Sequence, residues 1–157
     1  MAENQASSQT SSEPFILFDL AGTTYGVRSQ LVQQVEMVEQ ITPVPNAPAA
    51  VEGVIFSRGQ VIPAVSLRVR FGFEKTAHDL RTRLIVVGVR SRMIGLIVDS
   101  AREFIAIPSS AIQPPNEAIS GTRGKYIEAI ATLGERIILI LDLNEVVDPA
   151  ETIEAEG

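Results

Sequence analysis

Short runs of aliphatic and β-branched residues, broken every few positions by turn residues, recur along the chain. The clearest stretch is Gly53–Gly72, GVIFSRGQVIPAVSLRVRFG. Val51, Val54, Ile55 and Phe56 form one apolar run, and Val61, Ile62, Ala64 and Val65 form the next. Ser57-Arg58-Gly59-Gln60 lies between them. Runs this short, joined by a Gly-containing turn, predict a β-hairpin. Gly59 can take the positive φ that such a turn requires. Arg58 is then at the tip, where an apolar hairpin has no packing use for it. Ser66 follows the second strand as a helix N-cap for Leu67–Phe71, and Gly72 is the stop.

The same reading runs through the rest of the chain. Phe15–Leu20 and Thr24–Val27 are strands around a turn. A helical turn at Ser29–Gln33 leads into a strand at Gln34–Val38. Pro43, Pro45 and Pro48 forbid a helix and predict an extended edge segment. Glu74–Arg81 is a polar loop. Arg83–Val89 and Ile94–Val98 form a hairpin, and Glu103–Ile107 is another strand. Residues 108–124 are loop-rich. Tyr126–Leu133 and Arg136–Leu141 form a last hairpin. Asp142 with Glu145 has the spacing of a capping box and opens a helix to about Val147. Residues 1–13 are polar, Ser/Gln-rich and aperiodic, which predicts a disordered N-terminal tail. Residues 149–157 form an acidic C-terminal tail.

The halves repeat. Tyr25-Gly26-Val27 answers Ile94-Gly95-Leu96. Val35 and Phe104 each lie nine residues after those glycines, and Pro45 and Pro114 nineteen after. Val65-Ser66-Leu67 answers Leu141-Asp142-Leu143. Four matches in one register, with many short strands, predict an all-β fold of two similar small barrels.

A chain of 157 residues with 45% hydrophobic content can build one core-bearing domain. Aromatic residues are only 5%, so Val, Ile, Leu and Ala fill that core. A net charge of −6 argues against nucleic acid as a partner, because phosphate binding needs a concentrated basic face. There is no Cys, hence no disulfide or thiol chemistry. The first residues have neither the basic nor the apolar region of a signal peptide. The longest apolar run, Ile137–Leu141, is far short of the roughly 20 residues that span a bilayer. The expectation is a soluble, cytoplasmic protein with no direct membrane insertion.

No catalytic constellation stands out. His78 is alone in a polar loop, and no Cys/His/carboxylate cluster has metal-ligand spacing. No G-x-S-x-G elbow occurs. Gly121-Thr122-Arg123-Gly124-Lys125 lacks the spacing of a phosphate loop and the hydroxyl after Lys. Asp142 and Glu145 read as a cap rather than an acid–base pair. No enzyme activity, cofactor or metal is expected. What remains is an interaction surface: a proline-blocked edge, Arg58 at a hairpin tip, and apolar residues beyond one core's needs.

Tyr25-Gly26-Val27, the Thr42–Pro48 segment, GVIFSRGQVIPAVSLRVRFG, Gly95–Asp99, Ile112–Pro115, Tyr126 and Ile137–Leu143 together resemble the CheW-like coupling proteins of bacterial chemotaxis. The resemblance covers about Phe15 to Val147 and implies a CheW-like domain at 14–148. It implies two SH3-like five-stranded β-barrels packed together with short helices. The first barrel would span about 21–82 and the second about 83–148, with the N-terminal strand a candidate for sharing. It also implies a non-catalytic adaptor, associated with receptor arrays, that links a chemoreceptor cytoplasmic tip to the regulatory domain of a CheA-type histidine kinase. Val32, Gly53 and Arg58 fall where the family meets the receptor. Gln34, Val35, Val44 and Pro45 fall on the kinase-facing side, and Ala118 at a second kinase-facing position. Three residues depart from the family's usual pattern: Gln34 stands for Glu, Phe56 for Asn and Ser66 for Asp. Ala118 is smaller than usual. The alternative is a tandem small-barrel module for another protein or ligand, such as a paralogue in a twitching or gliding pathway.

Overall fold

Each predicted hairpin forms, but the hairpins are dealt between two sheets in an order that the linear repeat does not reveal. The computed structural model describes residues 11–115 and 123–147. Its strands are β1 (Ser12–Leu20), β2 (Thr23–Arg28), β3 (Val32–Met37), β4 (Val51–Ser57), β5 (Gln60–Ser66), β6 (Arg83–Val89), β7 (Arg92–Val98), β8 (Ser100–Pro108), β9 (Ile112–Gln113), β10 (Ile127–Leu133) and β11 (Arg136–Leu141). One sheet runs β8-β1-β2-β11-β10-β9 and the other β3-β6-β7-β5-β4.

The expected boundary at residues 82/83 therefore does not separate the sheets. Each half of the chain gives its first hairpin, β1–β2 or β6–β7, to the sheet built by the other half. The reason is burial. Strands β6 and β7 are apolar on both faces, with patterns iBBBBiB and iiBBBBB, so they need neighbours on either side and on both faces. They take the middle of the sheet, between β3 and β5. The internal repeat is nevertheless real in space. Strand β5 runs parallel to β7 with Ala64 opposite Gly95, and β11 runs parallel to β2 with Ile140 opposite Gly26. The two parallel contacts have equivalent register.

Three cores result. Phe15, Leu17, Ile107, Ala131, Ile138 and Ile140 fill the barrel of the first sheet. Ile62, Ala64, Leu84, Val86 and Ile97 fill that of the second. Between the barrels lies the largest cluster, with Phe18, Leu20 and Val27 meeting Val65, Ile85, Val87 and Leu96. Strand β6 shows the logic: Leu84 and Val86 point into its own barrel, while Ile85 and Val87 point between barrels. Each fully buried Leu or Ile is worth about 1.5–3 kcal/mol, so the packed faces hold the barrels as one unit. The scarce aromatics concentrate in this shared core. Phe18, Tyr25, Phe71 and Tyr126 form a row with ring centroids 5.7, 5.6 and 5.0 Å apart.

Local signals behave as their chemistry dictates. Ser66 caps the helix Leu67–Arg70 by accepting from the Val69 N–H at 3.2 Å. Asp142 caps the helix Leu143–Val146 through the Asn144 N–H, at 3.0 Å. It does not form the expected capping box, because its own N–H already donates to the Tyr126 carbonyl. The predicted disordered tail is also too long at its C-terminal end. Ser12 and Glu13 pair with Pro108 and Ile107 as part of β1, and Glu13 meets Arg28 at 2.7 Å. The acidic tail lies outside the described residues.

Candidate functional site

The β4–β5 hairpin presents its tip through a two-residue turn with Arg58 at φ 50° and Gly59 at φ 82°. Positive φ at both positions gives the type I′ geometry that matches strand twist. Arg58 is thereby held out in solvent and makes no hydrogen bond or ion pair with the described residues. Gly53, further down β4, sits at a bulge. A Cβ there would lie 2.2 Å from the Thr42 carbonyl oxygen. Thr42 exchanges two backbone hydrogen bonds with Val54, of 2.8 and 2.9 Å, and so lays the proline segment against the β4 edge. Gly53 thus serves this face by letting two backbones touch.

Strands β3 and β4 are the two edges of their sheet, and side chains stitch them. Gln34 Nε2 donates to Ser57 Oγ at 2.9 Å and also to Glu36 Oε2, while Ser57 Oγ donates to the same Glu36 oxygen at 3.1 Å. Neither Glu36 nor Ser57 is an expected site residue. The available signal was strand alternation, which puts Gln34 and Glu36 on one side of β3. Gln34 therefore holds a carboxylate two residues along the strand.

This stitch separates two clefts. One, of about 220 Å³, is lined by Gln34, Ser57, Arg58 and Gln60, with Ile62, Val86 and Met93 from the barrel interior. The other, of about 250 Å³, is lined by Glu36, Met37, Glu39, Ile55, Phe56 and Leu84. Phe56 is 74% exposed and pairs across the hairpin with Val61, also exposed. Val35, Met37 and Val44 are exposed too. Phe56, Val61, Val35, Met37 and Val44 thus leave apolar side chains in water on the elements around this barrel. Val32 differs, being half-buried against the core between the barrels. Pro45 is exposed in the proline segment, and Ala118 lies outside the described residues. The structure brings Gln34 and Arg58 to one cleft and leaves Val32 apart from it.

The model of the CheW-like domain family matches residues 14–151. The chain belongs to the CheW-like family. It is 31% identical to the chemotaxis protein CheW of Rhizobium meliloti over 140 residues, covering 89% of this chain and 90% of that one. It is 33% identical to protein FrzA of Myxococcus xanthus over 104 residues, covering 66% and 64%. The crystal structure of the scaffolding protein TtCheW from Thermoanaerobacter tengcongensis superposes with a TM-score of 0.82 at 31% identity, covering 90% of this chain and 97% of that one. The fold is accordingly the CheW pair of SH3-like barrels, and the chain is a coupling adaptor of chemotaxis signalling. The hairpin-swapped sheets are how this CheW-like chain builds that pair.

Proposed function

We propose that this chain is a non-catalytic adaptor that joins a chemoreceptor's cytoplasmic tip to the regulatory domain of a CheA-type histidine kinase, in the cytoplasm at receptor arrays. The observation that carries the reading is the family match across nearly all the described residues, on a barrel that displays exposed apolar side chains and an exposed Arg58. The receptor face comprises Val32, Gly53 and Arg58, with Gly53 shaping the strand that carries Arg58. The kinase face comprises Gln34, Val35, Val44 and Pro45, with Ala118 as a second contact. Likeness to FrzA, a protein under another name, is compatible with a second reading, a paralogue in a twitching or gliding pathway. Calorimetric titration against the kinase regulatory domain, then against a receptor-tip fragment, tests the adaptor reading. Micromolar or tighter binding to both is expected; binding to neither overturns it.

A further inference from the structure

We propose that the Glu36 carboxylate is the charged contact of the kinase-facing surface and takes a lysine or arginine side chain of the bound regulatory domain. This rests on the adaptor reading above. Glu36 is fixed before any partner arrives: Gln34 Nε2 and Ser57 Oγ both donate to its Oε2. Its Oε1 has no hydrogen bond to the described residues, and no Lys or Arg among them pairs with Glu36. A carboxylate held in this way loses little side-chain freedom on binding.

Its surroundings select the partner. The cleft beside Glu36 has walls of Met37, Ile55, Phe56 and Leu84, and Glu39 adds a second negative charge. Met37 and Phe56 are 51% and 74% exposed, so a docking partner gains most by covering them. Covering them strips water from Glu36 as well. A purely apolar partner would leave a desolvated, unpaired anion, which is costly. A partner that brings a cation into the same apolar frame gains a strengthened ion pair, because the surrounding dielectric falls. The apolar wall and the pre-set carboxylate together therefore specify a cationic side chain flanked by apolar ones.

The test is titration of the full chain, as wild type, Glu36→Gln and Ser57→Ala, with the kinase regulatory domain at low and high salt. Thermal unfolding of each variant is followed in parallel. Glu36→Gln should weaken low-salt binding about tenfold and flatten its salt dependence. Ser57→Ala removes a seam bond but keeps the charge, and should stay within about threefold with the salt dependence unchanged. Wild-type affinity and salt slope in Glu36→Gln would overturn the inference. So would an equal loss in Ser57→Ala, which would assign the effect to the seam and not the charge. Absence of binding by the wild type itself would remove the kinase arm of the adaptor reading, and this inference with it.

Discussion

Arg68 grips Asp99 through two parallel hydrogen bonds, Nε to Oδ1 and Nη2 to Oδ2, both 2.8 Å. Asp99 is the only residue between β7 and β8, where the chain leaves one sheet for the other. Its Oδ2 also accepts the Ala21 N–H at 2.9 Å, and its own N–H donates to the Asp19 carbonyl at 3.1 Å. One carboxylate thus ties the helix after β5, the β1–β2 turn and the crossover together.

That arrangement predicts an acid-sensitive stability. Burial pushes the Asp99 carboxyl up, but the hydrogen bonds from Arg68 and the Ala21 N–H, with the guanidinium charge, outweigh it and hold the pKa below the ordinary range. A depressed folded-state pKa stabilises the fold above the unfolded value of about 3.9, and that stabilisation is lost as pH falls through the folded value. Asp99→Asn should cost about 1.5–3 kcal/mol at neutral pH, as hydrogen bonds to charged groups do. It should also flatten the acid limb of stability measured by urea unfolding. A variant that keeps the wild-type pH dependence would show that the acid sensitivity arises elsewhere.

Gly53→Val should be among the most damaging substitutions outside the cores. The new Cβ meets the Thr42 carbonyl oxygen at 2.2 Å and the Ile41 side chain at 2.8 Å. Backbone cannot swing aside as a side-chain end can, so the bridge to Val54 must open. A loss of about 2–4 kcal/mol is expected, in the range of severe packing errors. Amide exchange should show the Thr42 and Val54 N–H groups losing protection first. A fully stable variant with those amides still protected would contradict the close approach.

Gly53 also shows what sequence reading can and cannot reach. The two cappers, the Arg58 turn and the alternation of β3 are local, and local chemistry is legible in order along the chain. The parallel contacts β5·β7 and β11·β2 are not local, and the repeat at Gly26 and Gly95 predicts two similar barrels without saying which strands pair or which half supplies them. The sequence predicts a barrel boundary at 82/83 because nothing around Arg83 reports that β6 pairs back with β3. Glu36 escaped for a related reason. Its partner Ser57 is 21 residues away, and only closure of the barrel brings the two edges together.

The two repeat glycines should respond unequally to added bulk. A Cβ at Gly95 would lie 2.8 Å from Leu84 Cδ1, inside a filled barrel. At Gly26 the nearest atoms are Leu17 Cδ2 at 3.2 Å and Ile138 Cγ2 at 3.3 Å, which need give only slightly. Overpacking costs typically about 1–3 kcal/mol, so Gly95→Ala should lie within that range and Gly26→Ala at or below its lower end. Denaturant midpoints of the two variants decide it. Gly26→Ala proving the more damaging would mean that the barrel around Leu84 is looser than its contacts imply.

Arg58 carries the sharpest test of the receptor face, because its backbone and its side chain pull in opposite directions. A φ of 50° is uncomfortable for a long L-residue and ordinary for Asn in a type I′ turn. Arg58→Asn should therefore stabilise the hairpin, by up to about 1 kcal/mol. A strained residue kept at an exposed tip is the pattern expected where function outweighs local stability. Both Arg58→Asn and Arg58→Glu should fold, the former with a raised melting temperature, and both should bind a receptor-tip fragment more weakly, Arg58→Glu the more so. Stabilisation with unchanged receptor affinity would leave the guanidinium without a role in docking, and the receptor face would then have to be sought at Val32.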